Sequence, residues 1–177
     1  MIHVGTGTGD TTAILSHIVG PTGHVTVDEV DRALAARAAM NLRGYPGVTV
    51  KSASAVAEDL PEADIIYVSA AVCGIPTVWL DALAVGGRLV VPMMPIGGIG
   101  HMWRIWRIAP DRYAASVFSR AVFIGCVGAQ DIREADALAS ALARSGPEQV
   151  RLLKRGVPPD DTAWLVGGGW WLSTAEP

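Results

Sequence analysis

Residues 3–15 read HVGTGTGDTTAIL. The end of an apolar run, three glycines on alternate positions and a helix-like pattern follow one another, which describes a strand, a tight turn and a helix start. Glycine lets the backbone turn sharply and lets a ligand approach without meeting a Cβ, and a helix start presents free N–H groups. A dinucleotide-binding turn has the spacing G-x-G-x-x-G. Here Gly5, Gly7 and Gly9 give G-x-G-x-G, and Asp10 would set an acid against a pyrophosphate. Spacing and charge both disfavour NAD.

Outward from this turn, short apolar strands alternate with helical patterns. MIHV reads as the end of a strand, and TTAILSHIV carries Ile14, Leu15, Ile18 and Val19 at helical spacing before stopping at Gly20-Pro21. HVTVDEV is a second strand, and Asp31 is placed as N-cap of a helix over RALAARAAMNL. GVTVKS and ADIIYVSAA are strands, PTVWLDALA is a helix with Pro76 in its first turn, and GGRLVVPM is a fifth strand. This rhythm predicts an α/β fold with a Rossmann-like, doubly wound, mostly parallel sheet. After Pro92 the pattern changes. HMWRIWRI, YAASVF and RAVFIGCVG read as antiparallel strands at the sheet edge, READALASALARSG as an amphipathic helix, and the last thirty residues as short strands and loops.

A ligand without phosphate and with a positive sulfonium, S-adenosyl-L-methionine, suits the turn better than a dinucleotide. It calls for an acid at the end of the second strand to accept the ribose hydroxyls. Glu29 and Asp28 both stand there. Strand alternation sends them to opposite faces, so one alone is expected to point at the sugar, and Glu29 is the choice.

Composition bounds the rest. Within 177 residues half are hydrophobic and 18% charged, with a net charge of −3, which fits one domain with a real core and gives no basic stripe for nucleic acid. Cys73 and Cys126 have no CxxC or histidine companion and read as small buried hydrophobes; no metal-ligand spacing is present. No apolar run reaches membrane-spanning length, so a cytoplasmic location is the expectation. In WRIWRI, alternation puts Trp103 and Ile105 on one face and Arg104 and Trp106 on the other, as an edge strand rather than a nucleic-acid surface. The aromatic pair in GGGWW reads as packing on the core.

Residues 3–42, HVGTGTGDTTAILSHIVGPTGHVTVDEVDRALAARAAMNL, together with DIIYVSAAVCGIPTVWLDALAVGGRLVVPMMPIGG, resemble the class I methyltransferases. They are closest to the protein-L-isoaspartate O-methyltransferases, which share the G-T-G-S/T-G turn, G-P-x-G-x-V, an alanine-rich loop before I-P, and L-x-x-GGRL-x-x-P with a following P-x-GG. The resemblance covers about residues 1 to 128. It implies an S-adenosylmethionine-dependent O-methyltransferase acting on a protein or peptide carboxylate, of the isoaspartyl type or a peptide-tailoring relative. It implies that Gly5, Thr6, Gly7, Thr8 and Gly9 surround the methionine and ribose, Glu29 holds the ribose hydroxyls, and Val30 lies against adenine. Ser54 and Ala55 then fall at the adenine edge, and Ser69 and Ala70 line the floor beside the transferable methyl. An isoaspartyl methyl ester closes to a succinimide unaided, which is the family's repair logic. No histidine or lysine is nominated as a catalytic base.

The chain departs from the family pattern at His3, where an acid is usual, at Ser54, where an aspartate is usual, and at Asp10, where a tyrosine is usual. The family's helical segment ahead of the first strand has no counterpart before Met1, so missing N-terminal sequence is the expectation. We divide the chain into a cofactor-binding core over 1–129 and a C-terminal extension over 130–177, which is a candidate for covering the site, accepting peptide or joining a homo-oligomer. The competing readings are a non-catalytic methyltransferase-fold binding module and an RNA base methyltransferase, the latter disfavoured by the acidic balance.

Overall fold

The computed structural model describes residues 1–57 and 59–176. A single ten-stranded sheet organises them. Its parallel half comprises β1 (Ile2–Val4), β2 (Val25–Asp28), β3 (Val48–Lys51), β4 (Ala63–Val68) and β5 (Leu83–Met93), in the spatial order β3-β2-β1-β4-β5. Helices α1 (Asp10–Val19), α2 (Arg32–Asn41) and α3 (Thr77–Ala82) connect these strands. The chain steps from β1 to β2 and β3 on one side, then returns to lay β4 on the other side of β1. That reversal opens a crevice at the carboxyl ends of β1 and β4, the ordinary ligand position of such a sheet.

Buried strands read as continuous apolar runs because both faces are covered. All of β1 is buried, and Ile66, Val68, Leu89 and Val91 are fully enclosed with Trp79 and Leu80 of α3. Asp31 caps α2, its carboxylate accepting from the N–H groups of Ala33 and Leu34 at 2.8 and 2.9 Å. Gly9 precedes α1 with φ at +102°, and a Cβ there would meet Leu42 at 3.1 Å, so the turn packs directly on the end of α2. Helix α1 forms where its apolar spacing predicts, but Ile14 and Ile18 face outward, 62% and 73% exposed. Its buried residue is Thr12, whose hydroxyl is engaged beneath β1.

The antiparallel half is β6 (Gly100–Ala109), β7 (Arg112–Ala121), β8 (Leu152–Arg155), β10 (Trp170–Ser173) and β9 (Ala163–Val166), in that spatial order beyond β5. The alternation in WRIWRI holds, with Trp103 and Ile105 fully buried and Arg104 and Trp106 exposed. Its place does not. Strand β6 is flanked by β5 and β7 and lies inside the sheet, because the C-terminal strands extend it. RAVFIGCVG is not a second strand either. Strand β7 ends at Ala121, and residues 122–128 turn back to the crevice, where the Ala71 N–H donates to the Ile124 carbonyl and the Cys126 N–H to the Ala71 carbonyl.

Two further boundaries differ from expectation. Pro76 is the cap before α3 rather than part of its first turn, and the helix stops at Ala82. Leu83 is instead the fully buried first residue of β5, paired with Ala63, so sheet pairing overrides its helical preference. Helix α4 (Ile132–Arg144) is capped by Asp131, which accepts from the N–H groups of Arg133 and Glu134. The tryptophans of GGGWW pack on the core as expected. Trp170 is buried and donates to the Ile75 carbonyl at 2.8 Å, while Trp171 donates to Val157 and carries Lys154 over its ring at 4.5 Å. No helix among the described residues is long and apolar enough to cross a membrane.

Candidate functional site

A cavity of about 240 Å³ fills the crevice at the switch point. The glycine turn forms one wall through Gly5 and Gly7, and the end of β2 contributes Asp28, Glu29 and Val30. Ser54, Ala55 and Val56 come from the turn after β3, Ser69 and Ala70 from the end of β4, and Ile124 to Val127 from the returning segment. Among the described residues the lining is mostly apolar, carries two acids and includes no lysine or arginine.

Glu29 holds the turn in shape. Its carboxylate accepts from the Gly7 N–H at 2.9 Å and from the Asp31 N–H at 3.0 Å. Each carboxylate oxygen has a second lone-pair site left for a ligand hydroxyl. Both Asp28 and Glu29 line the cavity and both are buried, contrary to the expectation that one would point away. Strand β2 ends at Asp28, so the alternation that would separate the two stops before Glu29.

Of the residues singled out from sequence, Gly5, Gly7, Glu29, Val30, Ser54, Ala55 and Ser69 lie together on this one lining. Thr6, Thr8 and Gly9 lie outside it. The Thr6 hydroxyl meets Thr12 at 2.6 Å in the interior, Thr8 donates to Asp10 at 2.6 Å on the surface, and Gly9 backs onto α2. Sequence reasoning missed Ile124, Gly125, Cys126 and Val127, read there as a strand. The glycines at 125 and 128 were the available signal that the run bends. Burial, with the Glu29 charge adding to it, pushes the Cys126 thiol up to about 11, so it stays protonated and serves as an apolar wall.

His3 is fully buried directly under the floor. Its Nδ1 meets the Thr12 hydroxyl at 2.7 Å and its Nε2 the Ser69 hydroxyl at 2.9 Å. Burial lowers its pKa to about 4, so the ring is neutral at physiological pH and brings no positive charge to the pocket.

Trp79 fixes the opposite side. Its indole N–H donates to the Ala55 carbonyl at 2.8 Å, pinning the turn after β3 to α3. Trp79→Phe orphans a buried carbonyl and is expected to cost about 2 kcal/mol of stability in urea unfolding. Trp103→Phe is the control, because the Trp103 N–H has no partner among the described residues and its loss removes no hydrogen bond.

A family model described as protein-L-isoaspartate(D-aspartate) O-methyltransferase matches residues 1–131. The chain belongs to that family. Among its curated members, a protein-L-isoaspartate O-methyltransferase of Methanothermobacter thermautotrophicus is 30% identical over 133 residues, covering 72% of this chain and 61% of that protein. One of Ignicoccus hospitalis is 34% identical over 128 residues, covering 70% and 60%. The chain thus spans about three fifths of the length of these relatives. A solved protein-L-isoaspartate O-methyltransferase superposes with a TM-score of 0.67 at 22% identity, covering 80% of this chain and 45% of that one. A putative Plasmodium falciparum member, solved in complex with S-adenosyl-L-homocysteine, gives 0.60 at 18% identity, covering 71% and 64%. These likenesses show the fold, that of the class I methyltransferases.

Proposed function

We propose that this chain is an S-adenosylmethionine-dependent O-methyltransferase acting on a carboxylate of a protein or peptide, of the isoaspartyl type. The observation that carries the reading is the cavity at the switch point, where Gly5, Gly7, Glu29 and Ser69 meet and, among the described residues, no cationic side chain lines the wall. A pyrophosphate would find two acids there and no counter-charge. An adenosyl sulfonium compound finds an acid beside its sugar, apolar walls from Val30, Ala55 and Val56 for its base, and negative charge to favour its cation.

Bound there, S-adenosylmethionine supplies an electrophilic methyl on sulfur. The rest falls to the chain. An acceptor carboxylate, with an ordinary pKa near 4, is already ionised at neutral pH, so no side chain need remove a proton. The site has to align the nucleophile with the methyl and keep water out. Its largely apolar lining suits the second task. Cys126, held protonated, does not compete as a nucleophile.

The test is methyl transfer from labelled cofactor to an isoaspartyl peptide beside its aspartyl twin. Base-labile label on the first alone is the expected result. Titration with S-adenosylhomocysteine is expected to give micromolar affinity. Silence at millimolar ligand would dismiss the cofactor assignment, and binding without transfer would favour a non-catalytic binding module.

A further inference from the structure

Four side chains from four different segments form one hydrogen-bonded line under the pocket floor. Thr6 in the glycine turn meets Thr12 of α1 at 2.6 Å, Thr12 meets His3 Nδ1 of β1 at 2.7 Å, and His3 Nε2 meets Ser69 after β4 at 2.9 Å. Thr6, Thr12 and His3 are buried, and Ser69 alone reaches the cavity. A neutral imidazole has one donor and one acceptor nitrogen, and each hydroxyl has one proton to give.

The burial pattern selects the direction of the line. With the proton on Nδ1, the ring donates to Thr12, and a hydroxyl proton of Thr6 or Thr12 is stranded with no acceptor among the described residues. An unmatched buried donor is costly. With the proton on Nε2, Thr6 donates to Thr12, Thr12 donates to Nδ1, and Nε2–H donates to the Ser69 oxygen. Every buried proton is then placed, and the one left over belongs to Ser69, which faces the cavity.

We propose that His3 is a positioning residue which, as the Nε2–H tautomer, turns the Ser69 hydroxyl proton into the pocket to receive the substrate carboxylate. The proposal rests on the methyltransferase reading above. A pocket lined, among the described residues, by Asp28 and Glu29 and by no cation has to bind an anionic nucleophile through neutral donors. Ser69 follows the strand that abuts the glycine turn, where a Cβ on Gly5 would touch Ala70 at 3.6 Å and the Ser69 carbonyl carbon at 3.8 Å. Only a neutral ring can give and take one hydrogen bond each, and burial keeps this ring neutral.

The full chain labelled with nitrogen-15 histidine decides the tautomer, with His3 assigned by the signals that His3→Gln removes. A protonated Nε2 and a bare Nδ1 are expected, and the reverse overturns the proposal. In steady-state assays with an isoaspartyl peptide, Ser69→Ala is expected to raise peptide KM about tenfold, the worth of one hydrogen bond to a charged group. Affinity for S-adenosylhomocysteine stays as it was. His3→Gln, which keeps a donor beside Ser69, holds peptide KM near the parent value. His3→Leu raises it as far as Ser69→Ala, and combining the two adds nothing. Should His3→Leu fail to fold, the tautomer and the other two variants still decide. If Ser69→Ala instead weakens S-adenosylhomocysteine and spares peptide KM, the hydroxyl serves the cofactor and the proposal falls. If the unaltered chain neither binds S-adenosylhomocysteine nor transfers methyl, the methyltransferase reading fails and takes the carboxylate assignment with it. A ring protonated on Nδ1 in an active enzyme sinks the His3 role alone.

Discussion

Glu29→Ala is expected to weaken S-adenosylhomocysteine binding about 100-fold, equivalent to about 2.7 kcal/mol. Two losses combine. The ligand loses a carboxylate beside its ribose, and the turn loses the acceptor for the Gly7 and Asp31 N–H groups at 2.9 and 3.0 Å. Hydrogen bonds to a charged group are each worth about 1.5–3 kcal/mol, so the expected figure asks for about one such bond beyond what water replaces. Glu29→Gln separates the contributions. Its amide keeps one oxygen but sets an NH2 group against a backbone N–H, so one of the two turn contacts becomes a donor facing a donor. Affinity for Gln is expected between the parent and Ala, with a loss of unfolding stability in both. Titration calorimetry and urea unfolding on the three proteins read this directly. An unchanged affinity in Glu29→Ala would mean that the cavity at the switch point does not hold the adenosyl ligand.

Local chemistry made much of this site legible from the residues alone. The G-x-G-x-G spacing located the turn because few residues other than glycine tolerate the positive φ values seen at Gly5, Gly7 and Gly9. Asp31 announced the start of α2 because a carboxylate at that place satisfies orphan N–H groups. Long-range assembly was less legible. The glycines at 125 and 128 hint that RAVFIGCVG bends, but nothing local says toward what, since its turn toward Ala71 depends on a partner about fifty residues earlier. Likewise His3 looked like an isolated departure. Its meaning lies in Thr12 and Ser69, which only the closed fold brings within 3 Å. The exposed Ile14 and Ile18 carry the same lesson: helical spacing fixed the element, while the polar line through Thr12 set which side turned inward.

The burial of a neutral His3 should be visible in the pH dependence of stability. Its pKa is about 4 in the folded chain, against about 6.5 for an unperturbed histidine. Above pH 6.5 neither state holds the proton, and the folded chain keeps its full stability. Below that, the unfolded chain gains a proton that the native chain refuses, so stability falls by about 1.4 kcal/mol per pH unit. The fall levels off near pH 4, where the native ring is protonated as well, for a total of about 3 kcal/mol. His3→Gln has no such group. Its unfolding free energy at neutral pH is expected below the parent's, with the gap narrowing or reversing as pH drops from 6.5 to 4. His101, also pushed down by burial, is present in both chains and cancels in the difference. Urea unfolding of the two proteins at pH 7 and pH 4.5 measures the gap. Parallel curves would show that the imidazole titrates in the folded chain as it does in water, and a gap that widens toward low pH would show that the ring stays charged when folded; a charged ring has no acceptor nitrogen with which to receive a hydrogen bond from Thr12.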